Sequence, residues 1–313
     1  MHLKFKNPDK VDIVILDSIG KSFFTEFIID KKYSYNVVES KINIVFLTPL
    51  MFWTFLKNIF TIRNKEKKIL SFIYKIYLLS IVQLYRPKII MTFLDNNLLY
   101  HWLIRNDKTK RCMAIQNGIR QKFEFDILEK IVPVEINHDY YFCFGEYDID
   151  FHKKMGFSIK KSIPCGSLRL GMSQLDIKEV AKQYDICLLS NYKKTSKTIN
   201  CSITNEINEN NILLDKYLQQ YCKANKKSII VALRSHSNDE INYFKSVYGN
   251  DINLTSGHIQ TYASYKASNQ SEVTIAYQST LLLEALAMRN KIIHIDFTNN
   301  SIFFDYKEPI KYV

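Results

Sequence analysis

Residues 272–296 read EVTIAYQSTLLLEALAMRNKIIHID. Glu272–Ala276 is a short apolar run with the β-branched content of a buried strand. Ser279 or Thr280 can cap a leucine-rich helix that runs to Arg289. Lys291–Asp296 is a second apolar run. Two strands joined by a helix of this length form a parallel pair with a crossover.

The same alternation extends back through the chain. Strands are expected at Val11–Leu16, Ile42–Leu47, Lys88–Leu94, Arg111–Gln116, Tyr140–Phe144, Tyr184–Leu189 and Ser228–Leu233. Helices are expected at Phe23–Ile29, Met51–Tyr85, Asn96–Arg105, Asp148–Met155, Glu206–Ala224, Glu240–Tyr248 and His258–Ala267. The fold class that follows is α/β, with two Rossmann-like domains whose parallel sheets face a cleft. The break falls in Pro164–Gln183, giving an N-terminal Rossmann-like domain over 1–165 and a C-terminal one over 166–313.

The 313 residues are 47% hydrophobic and 24% charged, which excludes a disordered or collagen-like chain. With 43 Lys and Arg against 31 Asp and Glu, the net charge is +12. A basic surface suits polyanions: nucleic acid, anionic lipid or phosphorylated substrates. The cations are dispersed and form no nucleic-acid module, so no nucleic acid is expected as a partner. Six cysteines lack metal spacing and read as small buried hydrophobes in a reducing compartment. The N-terminus MHLKFKNPDK has no apolar leader core. Ile69–Tyr85 is too short to span a membrane and carries Lys75. Leu50–Lys75 mixes Trp53, Phe55, Phe60 and Phe72 with six cations. It reads either as a helix pair packed on a sheet or as an amphipathic stretch for an anionic membrane.

Three strand-end segments carry candidate chemistry. At Gln278, Ser279 and Thr280, free N–H groups and the helix dipole suit a diphosphate; Glu284, near the mouth of the helix, suits ribose hydroxyls. The alternative is an ordinary capped helix. Arg234 and His236 follow a strand and suit phosphate or sugar oxygens, or else form a plain turn. Gln116, Asn117, Gly118 and Arg120 follow another strand, with Asp95 and Glu124 as the candidate carboxylates for acid–base work.

Taken in order, Phe93-Leu94-Asp95-Asn96, Ile115–Gly118 with Arg120, Phe144-Gly145-Glu146, Gly166–Gly171, Leu189-Ser190, Arg234-Ser235-His236 and Tyr277–Met288 resemble bacterial surface-carbohydrate biosynthesis proteins. These are capsule and lipopolysaccharide glycosyltransferases of the GT-B type, akin to Kdo transferases and CDP-glycerol glycerophosphotransferases. The likeness spans Lys88 to Asp296. It implies a metal-independent transferase with no cofactor, using a nucleotide-sugar donor, CMP-linked donors included. Its donor side would include Ser279, Thr280, Glu284 and His236. Its acceptor side would include Asp95 and Gln116–Gly118, with a lipid-linked or polymeric glycan as acceptor. The +12 charge and the basic, aromatic Leu50–Lys75 stretch lead to the expectation of a cytoplasmic protein, peripheral at the inner face of the cytoplasmic membrane on its anionic surface. Asp148-Ile149-Asp150 has the letters of a metal-binding DxD but begins a helix. Two departures stand out. The loop at Gln116–Gly118 lacks the histidine of the glycerophosphotransferases, and no helix crossing back to the first domain is evident before Val313. The alternatives are a CDP-alcohol-type phosphotransferase and a non-catalytic basic protein for membrane or nucleic acid.

Overall fold

The structure is a computed structural model. It describes residues 2–21, 24–41, 44–62, 69–107, 110–120, 137–177, 180–192, 202–255, 262–277 and 279–295. The chain divides into two units, Met1–Ser167 and Leu168–Val313.

In the first unit, β1 (His2–Lys4) is followed by β2 (Ile13–Leu16), a π-helical turn at Phe24–Ile28, β3 (Tyr35–Val38) and β4 (Ile44–Phe46). Then come α1 (Pro49–Thr61), α2 (Ile69–Tyr85), β5 (Ile89–Thr92), α3 (Leu98–Asn106) and β6 (Arg111–Ile115). The unit closes with β7 (Asn137–Cys143), α4 (Glu146–Lys154) and β8 (Ser158–Pro164). Six strands form one sheet in the order β3-β2-β5-β6-β7-β8, and β1 pairs with β4 apart from it. Every pairing is parallel. β2 is four apolar residues, all buried, as a strand covered on both faces requires. α1 starts where Thr48 accepts a hydrogen bond from the Met51 N–H at 3.1 Å, with Pro49 in its first turn. α2 buries Leu78, Leu79 and Val82 against Val14, Leu16 and Ile90.

The second unit contains α5 (Leu168–Asp176), β9 (Tyr184–Leu189), α6 (Ser202–Asn225), β10 (Ile229–Ala232), α7 (Asn238–Tyr248) and β11 (Asn253–Leu254). It continues with α8 (Ala263–Asn269), β12 (Ser271–Ala276), α9 (Thr280–Ala287) and β13 (Lys291–His294). Its sheet runs β11-β10-β9-β12-β13, again parallel throughout. Ile186, Leu188, Val231 and Ile275 pack there with Leu214, Leu218 and Phe244.

The α/β architecture with parallel sheets holds, and several local expectations change. The strand near Ile42–Leu47 pairs with the exposed β1 instead of joining the large sheet. The neighbour of β2 is Tyr35–Val38. β8 and α5 occupy chain that the sequence pattern leaves between the halves. Of the described cysteines, Cys112, Cys143, Cys187 and Cys222 are buried thiols, but Cys165 is exposed. Among the described residues, no helix is long and apolar enough to cross a membrane.

Candidate active site

In each of the two large sheets, consecutive connections reverse direction at one point, and ligands of open α/β sheets bind outside the strands' carboxyl ends at such points. In the first unit the reversal lies between β2 and β5. The loops there close on one another through side chains. Gly20 has φ +79°, and a Cβ on it would lie 2.7 Å from the Phe93 ring, so the loop after β2 lies flat on the loop after β5. Asp17 is buried; it accepts from the Ser40 N–H at 2.9 Å and from the Asn97 amide at 2.7 Å. Asn97 caps α3 through the Leu99 N–H.

Asp95 sits beside them, its side chain 2% exposed. One oxygen accepts from Arg120 Nε and from the Tyr141 hydroxyl, both at 2.7 Å. The other accepts from the Arg120 terminal nitrogen and, at 3.1 Å, from the Asn117 N–H. Burial would push this carboxyl up, but Arg120, Tyr141 and Asn117 outweigh it and hold it below the usual carboxylate range. Asp95 thus anchors the Gln116–Arg120 loop. A carboxylate held in this way is a poor general base, so its contacts favour anchoring the loop over taking the proton of an acceptor hydroxyl.

Gln116 is also built into the framework. Its amide nitrogen donates to Asp148 at 2.7 Å and to the Gly118 carbonyl at 3.0 Å. Its oxygen accepts from the Phe144 N–H at 3.0 Å. Asp148 also accepts from the Gly145 N–H at 3.2 Å at the start of α4, and burial pushes its carboxyl up. Asp150 lies instead 3.7 Å from the exposed Lys153. The DxD letters therefore hold a helix start and a surface ion pair.

Behind Asp95 lies a cluster of three buried histidines. His101 donates through Nε2 to the Asp95 carbonyl at 2.7 Å. Its ring centre is 5.4 Å from that of His138, and the Tyr141 ring lies 5.3 Å from His138 and 4.6 Å from His152. Burial lowers His101 and His152 to about 4 and holds His138 well below the usual histidine range, so the cluster is neutral at physiological pH. No group of three His, Cys, Asp or Glu among the described residues has the geometry to hold a metal ion.

In the second unit the reversal lies between β9 and β12. The chain leaves β12 at Tyr277 and enters α9 through Ser279. Ser279 is the N-cap by position, but its side chain makes no capping hydrogen bond. Of the residues singled out here, Ser279, Thr280 and Glu284 are described, whereas Gln278, like Glu124 in the first unit, lies outside the described residues. Glu284 is only 7% exposed and accepts from the Tyr265 hydroxyl of α8 at 2.8 Å. It is nearly buried under Tyr265, not open at the helix mouth as the spacing suggested.

The Arg234–His236 segment wraps a carboxylate. Glu240, fully buried, accepts from the backbone N–H groups of Arg234 at 2.8 Å, Ser235 at 2.8 Å and His236 at 2.9 Å, and from the Ser190 and Ser235 hydroxyls. Burial would push it up, but these donors hold it below the usual range. His236 takes φ +54° to complete the wrap. Its Nε2 is shielded and has no hydrogen-bond partner among the described residues, while the Arg234 side chain is exposed. The sequence reading omits Glu240, although Ser237-x-x-Glu240 has the spacing of a capping box, and Ser237 does accept from the Glu240 N–H at 3.2 Å. Tyr141 and Tyr265 are also omitted. A buried tyrosine gives no local signal of what its hydroxyl will meet.

A family model described as "putative O-antigen biosynthesis protein" matches residues 113–312. The chain belongs to that family. The matched region contains the whole C-terminal sheet and its loops, and from the first unit it contains Gln116–Arg120, Tyr141 and Asp148 but not Asp95. No curated protein sequence matches the chain. Among solved structures it is similar to Staphylococcus aureus MnaA with UDP, at 11% identity and a TM-score of 0.59, covering 93% of this chain and 80% of that one. It is also similar to the UDP-GlcNAc 2-epimerase of Neisseria meningitidis bound to UDP-GlcNAc, at 10% identity and a TM-score of 0.52, covering 95% and 83%. At these identities the likeness is one of fold. This O-antigen biosynthesis family member has the parallel two-sheet α/β fold of those proteins.

Proposed function

We propose that the chain is a GT-B-type glycosyltransferase that moves a sugar from a nucleotide-sugar donor to a lipid-linked or polymeric glycan acceptor in O-antigen synthesis. The observation that carries the proposal is the start of α9. A helix N-terminus without a side-chain cap stands at the carboxyl edge of the second sheet, where its order reverses. Its N–H groups and dipole suit the donor diphosphate. The structural neighbours with UDP and UDP-GlcNAc share this fold, and the family works in surface-glycan synthesis.

In this reading Arg234 and His236 neutralise the leaving phosphate, and the helix dipole supplies the rest without a metal. Glu284 accepts from ribose hydroxyls while Tyr265 fixes its rotamer. In the first unit, Asp95 and Arg120 are positioning residues that hold Asn117 and Gly118 in place on the acceptor side.

A binding panel of CMP, CDP, UDP and GDP, followed by transfer assays with the matching nucleotide sugars in the presence of EDTA, tests this reading. Nucleotide binding with acceptor-dependent sugar transfer is the expected result. A nucleotide sugar rearranged without any acceptor, a phosphoalcohol transferred in place of a sugar, or no nucleotide binding at all would each overturn it.

A further inference from the structure

In most amphipathic helices of a soluble domain the polar face meets water; α1 departs from this. Leu50, Trp53 and Phe60, spaced at i, i+3 and i+10, share its outer face with Lys57. Trp53 is 68% exposed and Phe60 84%. The opposite face is satisfied: Met51 is in the core, and Asn58 donates to Ser80 and to Gln83 at 2.9 Å. No packing need within the first unit turns the aromatic side chains outward.

The apolar surface continues beyond the helix. The Leu47 N–H donates to the Lys4 carbonyl at 2.8 Å, which brings exposed Leu3 and Phe5 alongside exposed Leu47 and Leu50 at the start of α1. The first turn of α2 exposes Ile69 and Leu70 as well. Exposed large apolar side chains grouped in this way mark an interaction site.

Charge identifies the occupant. Among the described residues, 2–10, 47–62 and 69–75 contain five cations (Lys4, Lys6, Lys10, Lys57 and Lys75) against one acid, Asp9. A second copy of the same surface would be repelled. A bilayer rich in anionic lipid satisfies both components, since aromatic side chains enter the headgroup boundary and lysines meet the phosphates. We propose that the outer face of α1, with Leu3, Phe5 and Leu47 beside it, is the seat of this protein on an anionic membrane. The proposal stands on this surface alone and does not depend on the glycosyl-transfer reading.

The test uses the full chain and vesicles of phosphatidylcholine with or without phosphatidylglycerol. Both tryptophans, Trp53 and Trp102, lie in the first unit, so Trp102→Phe leaves Trp53 as the single reporter. Its emission is expected to shift blue on phosphatidylglycerol vesicles and to be quenched by lipids brominated in the acyl chain. Flotation is expected on these vesicles at low salt, weakening as salt rises. Trp53→Ser with Phe60→Ser is expected to lower vesicle affinity at least tenfold with an unchanged melting temperature, because both side chains are exposed. Lys57→Gln is expected to lower it about fivefold. Equal binding to neutral vesicles, salt-independent flotation, an unshifted Trp53, or serine variants that alter oligomeric state but not flotation would overturn the proposal.

Discussion

In the first unit the buried carboxylate Asp95 faces a guanidinium, whereas in the second unit the buried carboxylate Glu240 faces only N–H and hydroxyl groups. The difference extends outward. Around Asp95, side chains from four strand-end loops bond to each other, and the three histidines behind them are neutral. Around Glu240, backbone bonds to a carboxylate, so the loop holds its own internal anion. The helix start at Ser279, in the same unit, has no capping hydrogen bond from the Ser279 side chain. Asp215, also in the second unit, is buried with the Tyr243 hydroxyl at 2.7 Å, and burial raises it to about 7. One unit is thus built to be closed and pre-ordered, while the other keeps polar groups that are costly without a partner.

Removing a partner from each buried carboxylate breaks the comparison most severely. Arg120→Met leaves Asp95 buried without its cation and is expected to cost about 3–5 kcal/mol. Because both tryptophans lie in the first unit, their fluorescence in urea reports that loss alone. Glu240→Ala frees three N–H groups and is expected to destabilise the second unit by about 3 kcal/mol or more, seen by circular dichroism with the tryptophan transition unmoved. If both variants shift both probes equally, the units do not differ as described.

The pH dependences of the two units should oppose each other. His101 and His152 have folded values near 4 against the usual 6.5. The unfolded chain therefore binds more protons between these limits. The first unit's stability is complete above pH 6.5 and falls toward pH 4, by about 3 kcal/mol per histidine at most. Asp215 is raised from 3.8 to about 7, so there the native state holds the extra proton. The contribution of Asp215 to the second unit is complete below pH 4, and up to about 4 kcal/mol of it is lost by pH 7. Asp215→Asn keeps an acceptor for Tyr243, and it is expected to remove that loss and to stabilise the second unit at pH 8. A flat circular-dichroism profile in the unsubstituted protein would contradict this.

Much of the fold was legible because buried parallel strands are continuous apolar runs, as in IVIL of β2 and YDICLL of β9. The strands that escaped are edge strands. β8, SIKKSIP, has one neighbour and an exposed face, so lysines interrupt its pattern. β1 is exposed throughout. At the candidate site, Asp95, Gln116, Arg120, Arg234, Ser279 and Glu284 were recognisable as strand-end groups. Their partners were not. Arg120 reaches Asp95 across 25 residues and Tyr141 does so across 46, which no local spacing encodes. The spacing alone puts Glu284 near the mouth of the helix, a position where removal costs little. Buried under Tyr265, it is now expected to cost about 1–3 kcal/mol on substitution by Ala, and Glu284→Gln is the variant that separates binding from folding.

A smaller contrast compares two helix starts. Ser237 accepts a capping hydrogen bond and Ser279 does not. Ser237→Ala is expected to lower stability by about 1 kcal/mol, and Ser279→Ala by less than about 0.3 kcal/mol. Equal losses in thermal unfolding would mean that α9 is capped after all.

Amide hydrogen exchange of the full chain, with and without the nucleoside diphosphate that binds best in the panel, tests the central claim most directly. The expected result is slower exchange at Thr280, Leu281 and Leu282, lost in Glu284→Gln at the same nucleotide concentration. Exchange at the start of α9 that is unchanged by a bound nucleotide, with protection elsewhere in the chain, would contradict the account.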